Sequence, residues 1–357
     1  MGLPALNIIF ASVASESVKR SQRGVVGLIV KDTPASENPA FIYKTKDIPD
    51  TFSEDTKEQI FLALKGNVNA PSKIVVFAVG KEAENYEEAQ KYFELKKVNW
   101  LACPTVETDK QTELITAWVK EQREGRNKVK AVLPNKEADC EGIINYATES
   151  VTAGEKTYTA EKFCARIAGL LAGTPSTQSA TFSVLKEVTD CTKMERSEID
   201  TAIEAGKFLL FYDGEKVKVA RGVNSLKTTT EEKADPWKKI KVVETMDMIN
   251  DDLTILAEDY YIGKYTNTYN NKCLLLTAIK SYFDEIIRSG LLDEYEVDFD
   301  AEAIRDYLVE HKGMKREDAE SMSDAEIRKQ YTDEKVFMKA KLNIADVMED
   351  ITLNVAV

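Results

Sequence analysis

Through the first half of the chain, short apolar runs alternate with longer stretches of helical period. The runs are residues 24–30 (GVVGLIV), 73–79 (KIVVFAV), 98–102 (VNWLA) and 128–133 (KVKAVL). They predict buried strands of a mostly parallel sheet, because a strand without a polar face has to be covered on both sides. Between them, 53–65 places Ile60, Phe61 and Leu64 on one face and stops at Gly66. Likewise 84–96 aligns Tyr86, Ala89 and Phe93, and 109–124 aligns Leu114, Ile115, Trp118 and Val119 before Gly125. Each pattern is that of an amphipathic helix ended by glycine or a short loop. Helices alternating with buried strands give an α/β sandwich.

A further helix over 160–172 ends at Gly173-Thr174-Pro175, a helix stop that places a domain boundary at residue 175. The pattern then changes to α+β. It predicts a strand over 180–184, a helix over 195–205, and a hairpin of 208–212 and 216–220 around Asp213-Gly214. A strand over 240–243, long helices over 245–262 and 272–289, and a charged helical stretch to 331 complete this part. The expected organisation is therefore an N-terminal arm and linker (1–22), an α/β domain (23–175), an α+β domain (176–335) and a C-terminal β-arm (336–357).

The two ends differ from both domains. Leu6, Ile8 and Phe10 share one parity and precede a small, polar linker over 11–22. Val336, Met338, Ala340, Leu342 and Ile344 form one alternating strand. The last eight residues form another, with Ile351, Leu353, Val355 and Val357 on one side and Asp350, Thr352, Asn354 and Ala356 on the other. Burying those four aliphatic side chains gains roughly 6–12 kcal/mol, at about 1.5–3 each. Fixing the eight backbones costs roughly 8–16 kcal/mol, at about 1–2 per residue. Such a strand orders only when it is hydrogen-bonded into another sheet, either within its own subunit or by strand addition across subunits.

Composition narrows the function. The 357 residues are 43% hydrophobic, enough for the cores of two domains, and 48 basic against 61 acidic residues leave a net charge of −13. That surface repels phosphate backbones, so nucleic acid is not an expected partner. The first ten residues carry Pro4 and Asn7 and follow no basic cluster, unlike a secretory signal. The greasiest stretch, 274–287, contains Lys280, Asp284 and Glu285 and is no membrane span. A soluble protein made in the cytoplasm is expected. Cys103, Cys140, Cys164, Cys191 and Cys273 are odd in number and scattered, which reads as reduced, mostly buried thiols.

Candidate catalytic patterns dissolve on inspection. Gly173-Thr174-Pro175-Ser176 looks superficially like a serine nucleophile region, but a triad needs a histidine base, and the single histidine, His311, lies between Glu310 and Lys312 in the charged stretch. The segment 169–173 (GLLAG) lacks the Gly-Lys-Ser/Thr finish of a phosphate loop and reads as helix packing followed by a stop. Asp251-Asp252, Asp298 and Asp300 lack calcium-loop spacing and read as capping or solvated groups. No catalytic, cofactor-binding or metal-binding residue is assigned.

Three segments in order, 163–182 (FCARIAGLLAGTPSTQSATF), 204–226 (EAGKFLLFYDGEKVKVARGVNSL) and 260–267 (YYIGKYTN), resemble the tail sheath proteins of contractile phages and of R-type bacteriocins of Gram-positive bacteria. The most specific element is Arg221-Gly222-Val223-Asn224-Ser225-Leu226, and residues 2–32 and 336–357 also fit, so the resemblance covers nearly the whole chain. It implies a subtilisin-like α/β domain on the outside and a C-terminal domain facing an inner tube. It further implies N- and C-terminal arms that complete the sheets of neighbouring subunits, joining hexameric rings into a contractile helical mesh inside a phage tail or bacteriocin particle. The implied partners are other copies of the chain, the inner tail tube protein, and baseplate and tail terminator proteins. Sheaths grip the tube through a charged helix, which makes Lys312, Lys315, Arg316, Arg328 and Lys329 the expected tube contacts; charged contacts steer register yet stay breakable. Arg221 is expected to pair with a carboxylate, and Asn224 to occupy a left-handed or turn position. The competing readings are a hydrolase-like or nucleotide-dependent α/β enzyme and a strand-addition adaptor that does not polymerise.

Overall fold

The computed structural model describes residues 23–125, 127–231 and 233–355. They fall into two compact units, one reaching to Glu244 and resumed from Val347, the other Thr245–Asp346. The sequence expectation for the N-terminal arm, including Leu6, Ile8 and Phe10, and for Val357 lies outside the described residues.

In chain order the larger unit contains β1 (Val25–Lys31), β2 (Ala40–Ile42), α1 (Glu54–Leu64), β3 (Lys73–Val79), α2 (Glu87–Leu95), β4 (Trp100–Ala102), α3 (Thr112–Glu124), β5 (Lys130–Pro134) and β6 (Ile143–Tyr146). It continues with β7 (Ser150–Ala153), β8 (Lys156–Thr159), α4 (Ala160–Ala172), β9 (Val188–Cys191), α5 (Arg196–Glu204), β10 (Lys207–Phe208), β11 (Leu210–Tyr212) and β12 (Val217–Val219). Seven strands form one sheet in the order β10-β6-β5-β4-β1-β3-β2. Every pair in it is parallel except β2 with β3.

The side-chain alternation of β1 explains the layering. Val26, Leu28 and Val30 join one core with Ile60 and Ala63 of α1 and Phe163, Ile167 and Leu170 of α4. Val25 and Ile29 join a second core with Phe93 of α2 and Ile115 and Val119 of α3. Helices thus cover both faces of a sheet whose strands carry no polar face. Ser53 caps α1 by accepting the Thr56 N–H at 3.3 Å, and Thr159 caps α4 from the Lys162 N–H at 3.4 Å.

The mixed α/β reading and its central strands agree with the structure, whereas several elements differ. Phe208, the first residue of the expected hairpin, instead joins Lys207 in extending the large sheet beside β6, and the division between compact units falls after Glu244 and not at residue 175. The expected strand over 180–184 is reduced to a single bridge between Val184 and Lys218. The expected strand over 240–243 is instead the first turn of α6 (Ile240–Leu256), because tertiary packing overrides the β-branched preference of Val242 and Val243.

In the smaller unit α6 ends in a π-helical turn at Ala257–Tyr261 and is followed by α7 (Tyr269–Arg288), β13 (Leu292–Phe299), α8 (Ala301–Lys312), α9 (Arg316–Ser321), α10 (Asp324–Ile327) and β14 (Met338–Ile344). Strand β14 pairs antiparallel with β13, so the expected strand around 336–344 closes a sheet within its own subunit. Tyr282, Phe283 and Ile286 of α7 pack with Val297 and Phe299 of β13 and Ile304 and Leu308 of α8. No helix among the described residues is long and apolar enough to cross a membrane.

Candidate intersubunit surface

Residues 221–226 emerge from β12 and run past the end of β6. Gly222 donates its N–H to Thr181 Oγ1 at 2.9 Å, and a Cβ there would lie 2.9 Å from Ser179 Oγ. Asn224 is fully buried; its amide donates to the Trp237 carbonyl at 2.7 Å, and its side-chain oxygen accepts the Leu226 N–H at 3.0 Å. That makes Asn224 a turn residue, but it is not among the non-glycine residues of positive φ. Ser225 donates its N–H to the Ile143 carbonyl and its hydroxyl to the Cys140 carbonyl, each at 2.9 Å. The segment is stitched to the strand end by buried hydrogen bonds that leave no room for chemistry.

Arg221 finds its carboxylates at the far end of the chain. Its Nε donates to Glu349 Oε2 at 3.0 Å and its Nη2 to Asp350 Oδ2 at 2.5 Å, while the Thr181 hydroxyl donates to Glu349 Oε1 at 2.6 Å. The Glu349 side chain is only 10% exposed. Just beyond, Ile351, Leu353 and Val355 are 82%, 81% and 72% exposed, and the described part of 350–357 forms no strand. The expected strand is absent here for the reason its alternation suggests: a period-two segment acquires strand structure only against a partner edge.

Such an edge is present in the smaller unit. On one face of the β13–β14 pair, Val297 and Phe299 are buried, Met338, Leu342 and Ile344 are half-buried, and Ala340 is exposed. The apolar face therefore continues past the covered strand onto β14 and is incompletely covered there. On the opposite face Glu296 stands across from Lys341 and Asp298 across from Lys339. Among the described residues neither outer edge of this two-stranded sheet carries a further strand.

The expected tube contacts are divided. Lys312 pairs with Asp333 at 2.5 Å, Arg316 with Asp306 at 2.6 Å and Arg328 with Asp298 at 2.7 Å. Lys315 and Lys329 are exposed. Surface pairs of this kind are worth about 0–1 kcal/mol each and exchange readily.

The positions that looked chemical have structural employment. In a doubly wound sheet ligands bind beyond the carboxyl ends of the strands where the order reverses, here between β1 and β4. That point is filled by Asp109, which accepts from Lys31 Nζ at 2.9 Å, from the Thr105 hydroxyl at 2.7 Å and from the Tyr86 hydroxyl. Burial pushes the Asp109 carboxyl up, but the hydrogen bonds from Tyr86, Thr105 and Lys31 outweigh it and hold the group below the usual carboxylate range. His311 stacks on Tyr307 with ring centroids 4.7 Å apart. Asp252, expected as a capping or solvated group, is instead buried and accepts from the Tyr282 hydroxyl at 2.8 Å, whereas Asp300 caps α8 through the Ala303 N–H. Gly169 packs so close to α1 that a Cβ would lie 2.0 Å from the Ala63 carbonyl oxygen. The cysteines are free, four of them buried, and burial pushes the Cys191 thiol up to about 11.

Comparison with known proteins decides between a filled-in enzyme fold and an assembly subunit. The profile of the phage tail sheath protein central domain matches residues 80–225, and that of the phage tail sheath C-terminal domain matches residues 232–357. The tail sheath protein of Clostridium phage phiCD119 is 35% identical across 99% of both chains. The chain belongs to the phage tail sheath family. Sheath proteins are structural components of contractile injection systems and carry no enzymatic activity. The fold agrees: the sheath tail protein of Desulfitobacterium hafniense superimposes with a TM-score of 0.69 at 17% identity, over 78% of this chain and 91% of that one. The helical sheath of the anti-feeding prophage in its contracted state does so with a TM-score of 0.71 at 15% identity, over 100% of this chain and 99% of that one.

The sequence pointed to Arg221, but not to its partners. Glu349 and Thr181 carried no signal, because one sits in a charged tail and the other in a serine- and threonine-rich loop. Strand β13, the partner of β14, carries the alternation of Tyr295, Val297 and Phe299, but its four acidic residues read as part of a solvated helical stretch.

Proposed function

We propose that the chain polymerises as hexameric rings around an inner tail tube by donating the strand 351–357 to the β13–β14 sheet of a neighbouring copy. The single observation that carries this reading is the pairing of a donor with an acceptor in one sequence: an alternating segment with its aliphatic side chains in solvent, and a two-stranded sheet whose apolar face is incompletely covered along β14. Backbone hydrogen bonds supply the affinity of such an addition, and the alternating side chains fix its register. The N-terminal arm, with Leu6, Ile8 and Phe10, acts in the same way on a second neighbour. A contact that joins different surfaces and does not close on itself generates a helix of rings.

In this account the larger unit is the outer, subtilisin-like domain and the smaller one faces the tube. Lys312, Lys315, Arg316, Arg328 and Lys329 grip the tube in the extended state, with baseplate and terminator proteins fixing the two ends. Triggering exchanges tube contacts for contacts between copies as each subunit rotates outward, and the arms keep the mesh continuous. Free energy summed over many identical subunits drives the tube through a target envelope. Negative-stain microscopy of the purified chain with and without its tube protein tests the proposal: hollow striated cylinders support it, and dispersed particles under every condition contradict it.

A further inference from the structure

Glu349 is a deep-set carboxylate between exposed apolar residues, Met348 on one side and Ile351 on the other. Both of its oxygens are taken, Oε2 by Arg221 and Oε1 by Thr181. Arg221 also reaches Asp350, the last residue before the alternating segment. The receiving residues are themselves fixed: Thr181 accepts from the Gly222 N–H and the Ser179 hydroxyl, and the segment 222–225 is bonded to the end of β6.

We infer that Arg221 and Thr181 form a clasp that holds the root of the C-terminal arm through Glu349 and Asp350, so that the exchanged strand leaves the larger unit from one fixed point at residue 351. Arg221 is a positioning residue for assembly. This rests on the reading that 351–357 is the exchanged strand, and it adds two consequences. Without the clasp, Glu349 and Asp350 are no longer held and lengthen the tether ahead of the strand. At 3.3–3.6 Å per residue the two add roughly 7 Å to its reach and dilute the strand about its target edge. A pull on the exchanged strand is also delivered through Arg221 to the end of β6, which gives the sheath motif a mechanical role that its buried hydrogen bonds alone do not explain.

The test compares Arg221→Ala with the arm-side variant Glu349→Gln/Asp350→Asn, which alters only the tail and leaves the fold untouched. Digestion of dilute subunits with a glutamyl endoprotease, followed by mass, reads release of the residues after Glu349. Arg221→Ala is expected to speed that cut about tenfold with an unchanged melting temperature, and both variants are expected to slow polymerisation on tubes by a similar factor. Arg221→Glu combined with Glu349→Arg is expected to restore polymerisation that Arg221→Glu alone loses. Unchanged cleavage and unchanged polymerisation in Arg221→Ala, alongside full loss of polymerisation on removing 351–357, overturn the clasp and leave strand exchange standing. Normal polymerisation without 351–357 overturns both.

Discussion

The ammonium of Lys130 lies 2.7 Å from the carboxylate of Glu244, at a point where the lysine side chain is 1% exposed. Lys130 opens β5 and rests over the Trp100 ring, 4.9 Å from its centroid, while Glu244 lies in the first turns of α6 and also binds Arg23 at 2.8 Å. Glu244→Gln removes a carboxylate partner of a buried cation and is expected to cost about 1.5–3 kcal/mol, whereas Lys130→Met replaces the cation by an apolar group and is expected to cost less. Urea denaturation midpoints of the two variants check the asymmetry.

The aliphatic residues of the arm contribute nothing to the fold of the isolated subunit. Ile351→Asp combined with Leu353→Asp is therefore expected to leave the melting temperature within about 1–2 °C of the parent, since surface substitutions stay within about 0.5 kcal/mol. The same variant is expected to remain dispersed when tubes are added, as sedimentation reads directly.

On the acceptor side, Ala340 is the exposed position on the apolar face of β14. Ala340→Lys sets a charge where the incoming strand has to lie, a device by which sheet edges avoid pairing. The expected outcome is a folded, unassembled subunit and weakened binding of a synthetic peptide of residues 347–357, measured by titration calorimetry.

Gly169 owes its identity to helix packing. Gly169→Ala drives a methyl against the Ala63 carbonyl oxygen at 2.0 Å and is expected to cost about 1–3 kcal/mol or more, read as a lower thermal midpoint.

Asp139 gives the pH dependence a definite sign. Hydrogen bonds from Thr228 and from the Lys227 and Thr228 N–H groups hold its pKa at about 2. Because that lies below the unfolded value of about 3.9, the stabilisation is complete above about pH 4 and is lost as pH falls towards about 2. Asp139→Asn is expected to flatten the fall of the urea midpoint across that window.

The long, doubly apolar strands β1 and β3 and the helix over Ala160–Ala172 were readable because their period and caps extend over enough residues to be unambiguous. Strands β2, β6 and β10 were not: each has two to four residues, and β6 buries Asn145, a residue that reads as loop. The helical fate of Ile240-Lys241-Val242-Val243 depends on packing from elsewhere in the chain, which local pattern does not carry. The C-terminal alternation was visible in full, and what it could not reveal was the clasp, because a hydrogen bond between residues 221 and 349 leaves no periodic trace in either segment.

The most direct measurement is a cryo-electron microscopy reconstruction of the assembled sheath at a resolution that traces the chain. The expected result is density for residues 351–355 of one copy hydrogen-bonded as an added strand along Met338–Ile344 of another. An arm folded back onto its own subunit, with β14 unpaired on its outer edge, would contradict it.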